Sequence, residues 1–164
     1  KLLYCKKIEE DRWQLDVYSS DNHHHIRTLS QTVTSEGISA SSHSSGWTAI
    51  VDNTYTTGRD TTLDIYNPSL DHHCRIQLSY QAYTPHGVIS VHDVIMIACF
   101  NPPGLCMYNW GGEEVGRLTA GDLGIEDSRM MGIGPGGEGW VQVATGDKDG
   151  DNYLAKHLHV YKIM

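Results

Sequence analysis

Cys74-Arg75-Ile76-Gln77-Leu78-Ser79-Tyr80-Gln81-Ala82-Tyr83 puts Cys, Ile, Leu, Tyr and Ala on one face and Arg, Gln, Ser and Gln on the other. A period of two over ten residues is that of a β-strand with one dry and one wet side. Working outward, Trp13–Ser19, Trp47–Tyr55, Arg59–Tyr66, Val88–Phe100, Trp140–Thr145 and Tyr153–Ile163 are rich in β-branched and aromatic residues and read as further strands. Loops heavy in Gly, Ser, Asn and Asp separate them. Helix signals are poor. Thr28–Ile38 has helical length, but its Thr, Ser and Val weaken that reading; Gly121–Met130 has room for one short helical turn. The expected fold is all-β, a single-domain antiparallel β-sandwich or β-barrel with few or no helices. The Ser-rich stretch Ser39–Ser45 reads as an exposed loop, and no internal repeat is seen.

Val88–Phe100 runs into Cys99-Phe100-Asn101-Pro102-Pro103-Gly104-Leu105-Cys106. Pro-Pro-Gly turns the chain and continues neither a helix nor a central strand. The expectation is a hairpin stapled by Cys99–Cys106, with Cys5–Cys74 as the second bridge among three possible pairings. Loop-closure entropy gives about 2.5 kcal/mol for the short bridge and roughly 4.4 for the long one. Two bridges imply an oxidising compartment, hence a secreted, extracellular protein; four buried free thiols in a cytosolic protein are the alternative.

The 164 residues make one domain, 1–164, with about 1–12 read as the remnant of a processed pro-segment. No run approaches eighteen apolar residues, so no membrane-spanning helix is expected. Net charge is −8 with 12 Lys and Arg and no basic cluster, which disfavours nucleic acid. Ten histidines would move that charge to about +1 at pH 5.5, on the ordinary imidazole pKa near 6.5.

Motifs for chemistry are few. Asp147, Asp149 and Asp151 open like a calcium loop, but Leu158 stands where a bidentate Glu is needed, and Lys148–Asp151 reads better as a hairpin turn. Gly132-Ile133-Gly134-Pro135-Gly136-Gly137 fits G-x-G-x-x-G, yet a strand rather than a helix follows, so a mobile loop is expected. His157 and His159 share one strand face and, with His92-Asp93, are the best metal candidates; surface histidines are the plainer reading. No nucleophile elbow occurs. No cofactor is implied and no enzyme is expected.

Nine Tyr and four Trp stand against one Phe. Tyr and Trp join apolar area to a polar handle and suit contact surfaces. Tyr108, Asn109 and Trp110 directly follow the expected staple and form the candidate binding surface; the alternative puts Trp110 in the core, where Trp13, Trp47 and Trp140 are also expected.

Gly46-Trp47-Thr48-Ala49, Tyr55, Thr57-Gly58, Tyr108-Asn109-Trp110 and His159-Val160 resemble a scatter of the actinoporin pattern. That resemblance implies a β-sandwich and aromatic recognition of phosphocholine headgroups; the chain departs from the family in being acidic, carrying cysteines and lacking a long amphipathic N-terminal helix. By character, with Lys6-Lys7 as a dibasic cleavage signal, the chain also resembles small secreted effector toxins of plant-pathogenic fungi. That resemblance implies a non-enzymatic virulence factor that binds a host extracellular or cell-surface protein. A carbohydrate- or membrane-lipid-binding lectin or cytolysin, and a histidine-based metal hydrolase, are the alternatives.

Overall fold

A computed structural model describes residues 1–9, 12–33, 38–52, 61–79, 81–82, 87–147 and 155–163. Alternation of the kind read at 74–83 recurs throughout, and the described residues form fifteen strands and no helix. The chain is therefore all-β, built from antiparallel sheets. The strands fall into four sheets in strict chain order. β1 (Leu2–Glu9), β2 (Arg12–Tyr18) and β3 (His25–Val33) make the first. β4 (Ile38–Ser42), β5 (Thr48–Asp52), β6 (Thr62–Tyr66) and β7 (His72–Gln77) make the second. The third holds β8 (Gln81–Ala82), β9 (Val88–Val91), β10 (Val94–Asn101), β11 (Gly104–Asn109) and β12 (Glu114–Thr119), with β8 and β9 both against β10. β13 (Ser128–Pro135), β14 (Trp140–Asp147) and β15 (His157–Lys162) make the fourth.

Successive sheets share a core. Leu15 and Leu29 of the first meet Ile50 and Tyr66 of the second. Val51, Leu63 and Ile65 of the second meet Ile95, Ile97 and Tyr108 of the third. Met96, Ala98 and Leu105 of the third meet Ile133, Val141 and Val143 of the fourth. Strand alternation makes this possible: Leu63 and Ile65 face forward along the array while Asp64 and Tyr66 face back.

Several expectations are corrected. Of Thr28–Ile38, whose composition weakened a helical reading, the residues up to Val33 complete β3 and Ile38 opens β4. Ser39–Ser45 is not simply a loop, because its first part is β4. There Ser39 Oγ accepts the N–H groups of Gly87 and Val88 at 3.1 Å each and Ser41 Oγ that of Ser90 at 2.8 Å. The serines thus join second sheet to third, a use for short hydroxyl side chains that composition does not reveal. Val88–Phe100 is two strands around a tight turn at His92-Asp93, with His92 at φ +50°. Residues 132–135 of the glycine-rich segment lie inside β13. The calcium or hairpin reading of 148–151 lies outside the described residues.

The Pro102-Pro103 hairpin forms as expected, β10 against β11. Its staple does not. Cys99, Cys106 and Cys74 are free thiols. Cys99 pairs with Gly104 and Cys106 with Ile97, so the two cysteines are diagonal rather than opposite. Diagonal Cα pairs lie about 7–8 Å apart, beyond the usual disulfide span. Instead the Cys99 thiol donates to Cys106 Sγ at 2.9 Å, both buried in the core between second and third sheets. The hydrogen bond to Cys106 and then burial push the Cys99 thiol far above its ordinary pKa. The Cys5–Cys74 bridge is also not formed: Cys74 Sγ sits 3.9 Å from the Gly111 carbonyl oxygen, and the Cys5 side chain lies outside the described residues.

Candidate functional site: an aromatic and histidine-bearing rim

The turns β2–β3, β4–β5, β6–β7, β9–β10, β11–β12 and β13–β14 open at one end of the array. Contacts between them mark a shared rim. Lys1 Nζ donates to the Pro68 carbonyl, Arg27 pairs with Asp71 at 3.2 Å, and His43 reaches Asp93 at 3.7 Å. His23, His24, His25, His43, His72, His73 and His92 all stand on or next to these turns.

At the centre of the rim, between second and third sheets, four rings gather. Trp110 lies 6.3 Å from Trp47 and 5.7 Å from His43, centroid to centroid, and Trp47 meets His73 edge-on at 5.1 Å. Trp47 and Trp110 are half-buried, packed on the core below. The Trp110 indole Nε1 is covered and has no hydrogen-bond partner.

The three residues expected to bind are thus divided. Tyr108 is core, 4 % exposed, its hydroxyl donating to Glu114 Oε2 at 3.1 Å. Asn109 holds the turn together: its Oδ1 accepts the N–H groups of Gly111 and Glu113 at 3.0 and 2.9 Å, and its Nδ2 donates to Glu113 Oε2 at 2.8 Å. Asn109 and Trp110 are both half-buried at the rim, and Trp110 brings the aromatic surface. Trp140, expected in the core, is 40 % exposed, with Lys162 Nζ 5.9 Å above its ring. The Trp13 side chain lies outside the described residues. His157 and His159 do share a face, centroids 6.4 Å apart, and His159 Nε2 is 3.0 Å from Thr145 Oγ1. Among the described residues no group of three His, Cys, Asp or Glu is placed to hold a metal.

Below the rim lies a repeat that the sequence reading missed. Leu15-Asp16-Val17-Tyr18-Ser19, Leu63-Asp64-Ile65-Tyr66-Asn67 and Leu105-Cys106-Met107-Tyr108-Asn109 occupy equivalent strands of the first three sheets. Each ends in a turn organised by its last residue. Asn67 Oδ1 accepts the Asp71 N–H at 2.9 Å as Asn109 Oδ1 accepts that of Glu113, and Ser19 Oγ accepts the Asp21 N–H at 3.2 Å. The spacings, 48 and 42 residues, are those of repeated β-sheet units.

The repeat also places buried charge. Asp64 accepts two parallel bonds from Arg75, at 2.8 and 2.9 Å, and lies 2.8 Å from His72 Nε2. Asp16 accepts from Gln14 and Thr28 at 2.6 Å each and pairs with Lys6 at 3.1 Å. Burial alone would raise its pKa; the donors from Thr28, Gln14 and Lys6 outweigh that and hold it far below the carboxylate range. At Asp52 the balance is reversed, because the Arg75 charge only partly opposes what raises it. Burial, then the Asp64 charge, raise it to about 6, and its Oδ1 is unpartnered.

No family model matches the sequence, and no curated protein matches it. Among solved structures, the chain is similar to BBS1N, in a crystal structure of BBS1N in complex with ARL6DN soaked with mercury. The TM-score is 0.50 at 15 % identity, over 93 % of this chain and 48 % of that one. That neighbour is a β-propeller-like domain. The likeness is one of fold: consecutive antiparallel sheets stacked face to face are how propeller blades are arranged. The chain spans about half the length of the structure it matches.

Proposed function

We propose that the protein is a non-enzymatic binding module that engages a protein partner through its rim. The observation that carries this reading is the Trp47–Trp110–His43–His73 group, half-buried aromatic surface on turns that a rigid β-scaffold holds in place. Aromatic anchors set among polar neighbours are the usual centre of protein contact surfaces. Seven histidines around the rim set hydrogen-bonding ring nitrogens beside this aromatic surface. The earlier case for an oxidising compartment rested on the disulfides; with thiols at Cys74, Cys99 and Cys106 it loses that support. A host-directed, secreted role is one version of this reading and shares the same surface.

The test is capture of binding proteins from the source organism's extract with wild-type protein and with Trp110→Ala. Parallel arms use a glycan array and phosphatidylcholine vesicles. A protein retained by the wild type and lost by the folded variant supports the reading. Retention of a glycan or of vesicles, with no protein dependent on Trp110, would reject it.

A further inference from the structure

We propose that Cys106 is a thiolate in the folded protein, and that the small space beside it is where a hydroperoxide oxidises it. The position is one that the second sheet gives to an anion. There Asp64 of β6 lies opposite Arg75 of β7 and accepts two parallel bonds from it. On the third sheet Cys106 of β11 lies opposite Arg117 of β12 in the same register. Directly opposite residues share a face, with Cβ atoms about 5 Å apart. The Arg117 guanidinium is thus set to reach the sulfur as Arg75 reaches the carboxylate.

Within the cysteine pair Cys99 keeps its proton and donates to Cys106 Sγ at 2.9 Å, so Cys106 is the acceptor. Arg117 supplies positive charge, and the field of Cys106 is the largest influence raising the arginine above its ordinary pKa. Glu114 shares that guanidinium at 3.3 Å and draws off part of its effect. Val51, Leu63 and Ile65 of the second sheet pack in the same cluster and bring no charge. A buried anion is costly alone; one donor and one cation offset that cost. Cys99, Cys106, Arg117, Pro102, Pro103 and Thr119 line a space of about 80 Å³, more than one water needs. Pro102 and Pro103 are exposed at its edge, and the Arg117 side chain is 38 % exposed. A peroxide fits there, whereas a bulky alkylating reagent does not.

The step is a two-electron transfer. The thiolate attacks one oxygen of the hydroperoxide, an S–O bond forms and the O–O bond breaks. Sulfur is oxidised, the peroxide is reduced, and the departing alkoxide or hydroxide takes a proton from water. The products are Cys106 sulfenic acid and an alcohol or water. Arg117 lines the same space and offsets the charge on the leaving oxygen. Attack by the Cys99 sulfur on the sulfenic acid would release water, formed from its S–OH oxygen and the Cys99 proton. The resulting disulfide requires the diagonal strand positions to draw closer, a movement at the Pro102-Pro103 hairpin.

Brief treatment of the native protein with hydrogen peroxide, then a sulfenic-acid trap and peptide mapping, tests this. Cys106 should be oxidised before Cys74, whose thiol burial and the Asp64 charge push up. Cys99→Ser should raise the trapped fraction, because no neighbouring thiol then competes for the sulfenic acid. A 99–106 bridge in the treated wild type supports the same attack, since it forms through that acid. Arg117→Gln should slow oxidation about tenfold and Arg117→Lys should restore most of the rate, with circular dichroism unchanged in both. The ultraviolet absorbance of a thiolate should be present at neutral pH, lost on unfolding and absent from Cys106→Ser. Oxidation of Cys74 with Cys106 untouched overturns the proposal. So does a folded Arg117→Gln that reacts as fast as wild type, or a native protein without thiolate absorbance.

Discussion

Asp64 on β6 and Cys106 on β11 occupy the same position in successive sheets. Each follows a buried leucine, precedes a buried tyrosine by two residues, and stands eleven residues before an arginine, Arg75 or Arg117. Their diagonal neighbours also correspond: Asp52 lies opposite Thr62 and Cys99 opposite Gly104, each two positions from its partner. The second sheet thus holds a carboxylate pair where the third holds a thiol pair. The charged site needs Arg75 and His72 to offset desolvation, whereas the two buried cysteines enter the core as small groups that bond to each other.

The thiol pair has a direct chemical consequence. In the native protein the buried Cys99 and Cys106 should resist a bulky thiol reagent, Cys99 being also strongly disposed to stay protonated, while half-buried Cys74 reacts before either. Denaturation should release both. Cys99→Ala should cost about 1–2 kcal/mol, the loss of a small buried group. Intact mass measured without reductant is the check. A deficit of two hydrogens, mapped to the 99–106 peptide, would show a bridge in place of the thiols.

Asp52 offers a stabilising substitution. Its folded pKa, about 6, lies above the unfolded value of 3.8, so the folded state binds the extra proton. Stability therefore falls as pH rises from about 4 to 6 and levels off above that. Asp52→Asn should remove this slope and raise stability at pH 7 by about 1–2 kcal/mol, after allowing for solvent near a half-buried group. Urea unfolding of both proteins at pH 4 and pH 7 measures it. An equal gain at both pH values would show that the carboxylate charge is not the cause.

Strand content was legible because alternation is local: Cys74, Ile76 and Leu78 face the core as their spacing requires. What escaped was mostly non-local. The Leu-x-hydrophobic-Tyr repeat was present in the letters, but Asp16, Asp64 and Cys106 differ chemically, and unequal loops hide the spacing. Aligning Leu15–Ser19 with Leu63–Asn67 would have found it, and with it the structural part played by Tyr108 and Asn109. Ser39 and Ser41 misled because composition favours a loop, while their hydroxyls bond backbone of another sheet. The rim ring cluster draws Trp47, His73 and Trp110 from three separated segments, a meeting that only the stacking of sheets brings about.

The turn equivalence can be tested by two parallel substitutions. Asn67→Ala and Asn109→Ala should each cost about 1–2 kcal/mol, since each removes side-chain acceptance of backbone N–H groups in the same kind of turn. Asn109→Ala loses two such bonds and one to Glu113, so it should be the costlier. Thermal midpoints of the two variants give the comparison. A neutral Asn109→Ala would separate the 109–113 turn from the repeat.

Trp110 bears both on stability and on binding, and its two contributions can be separated. Its ring packs on the core between second and third sheets and against Trp47 and His43, so Trp110→Ala should lower stability. Half-burial sets the loss at about 2 kcal/mol, below the 3–5 typical of a fully buried Trp. Trp110→Phe keeps most of the contact while removing the indole N–H, which has no partner in the free protein. It should therefore leave stability within about 1 kcal/mol of wild type or raise it slightly, because a covered donor without an acceptor is costly. If a partner supplies that acceptor, Trp110→Phe should still weaken binding by about tenfold, the equivalent of one hydrogen bond. Titration of partner with wild type, Trp110→Phe and Trp110→Ala gives the order. Full affinity in Trp110→Phe would limit Trp110 to an apolar contact; full affinity in Trp110→Ala would move the contact surface away from this cluster.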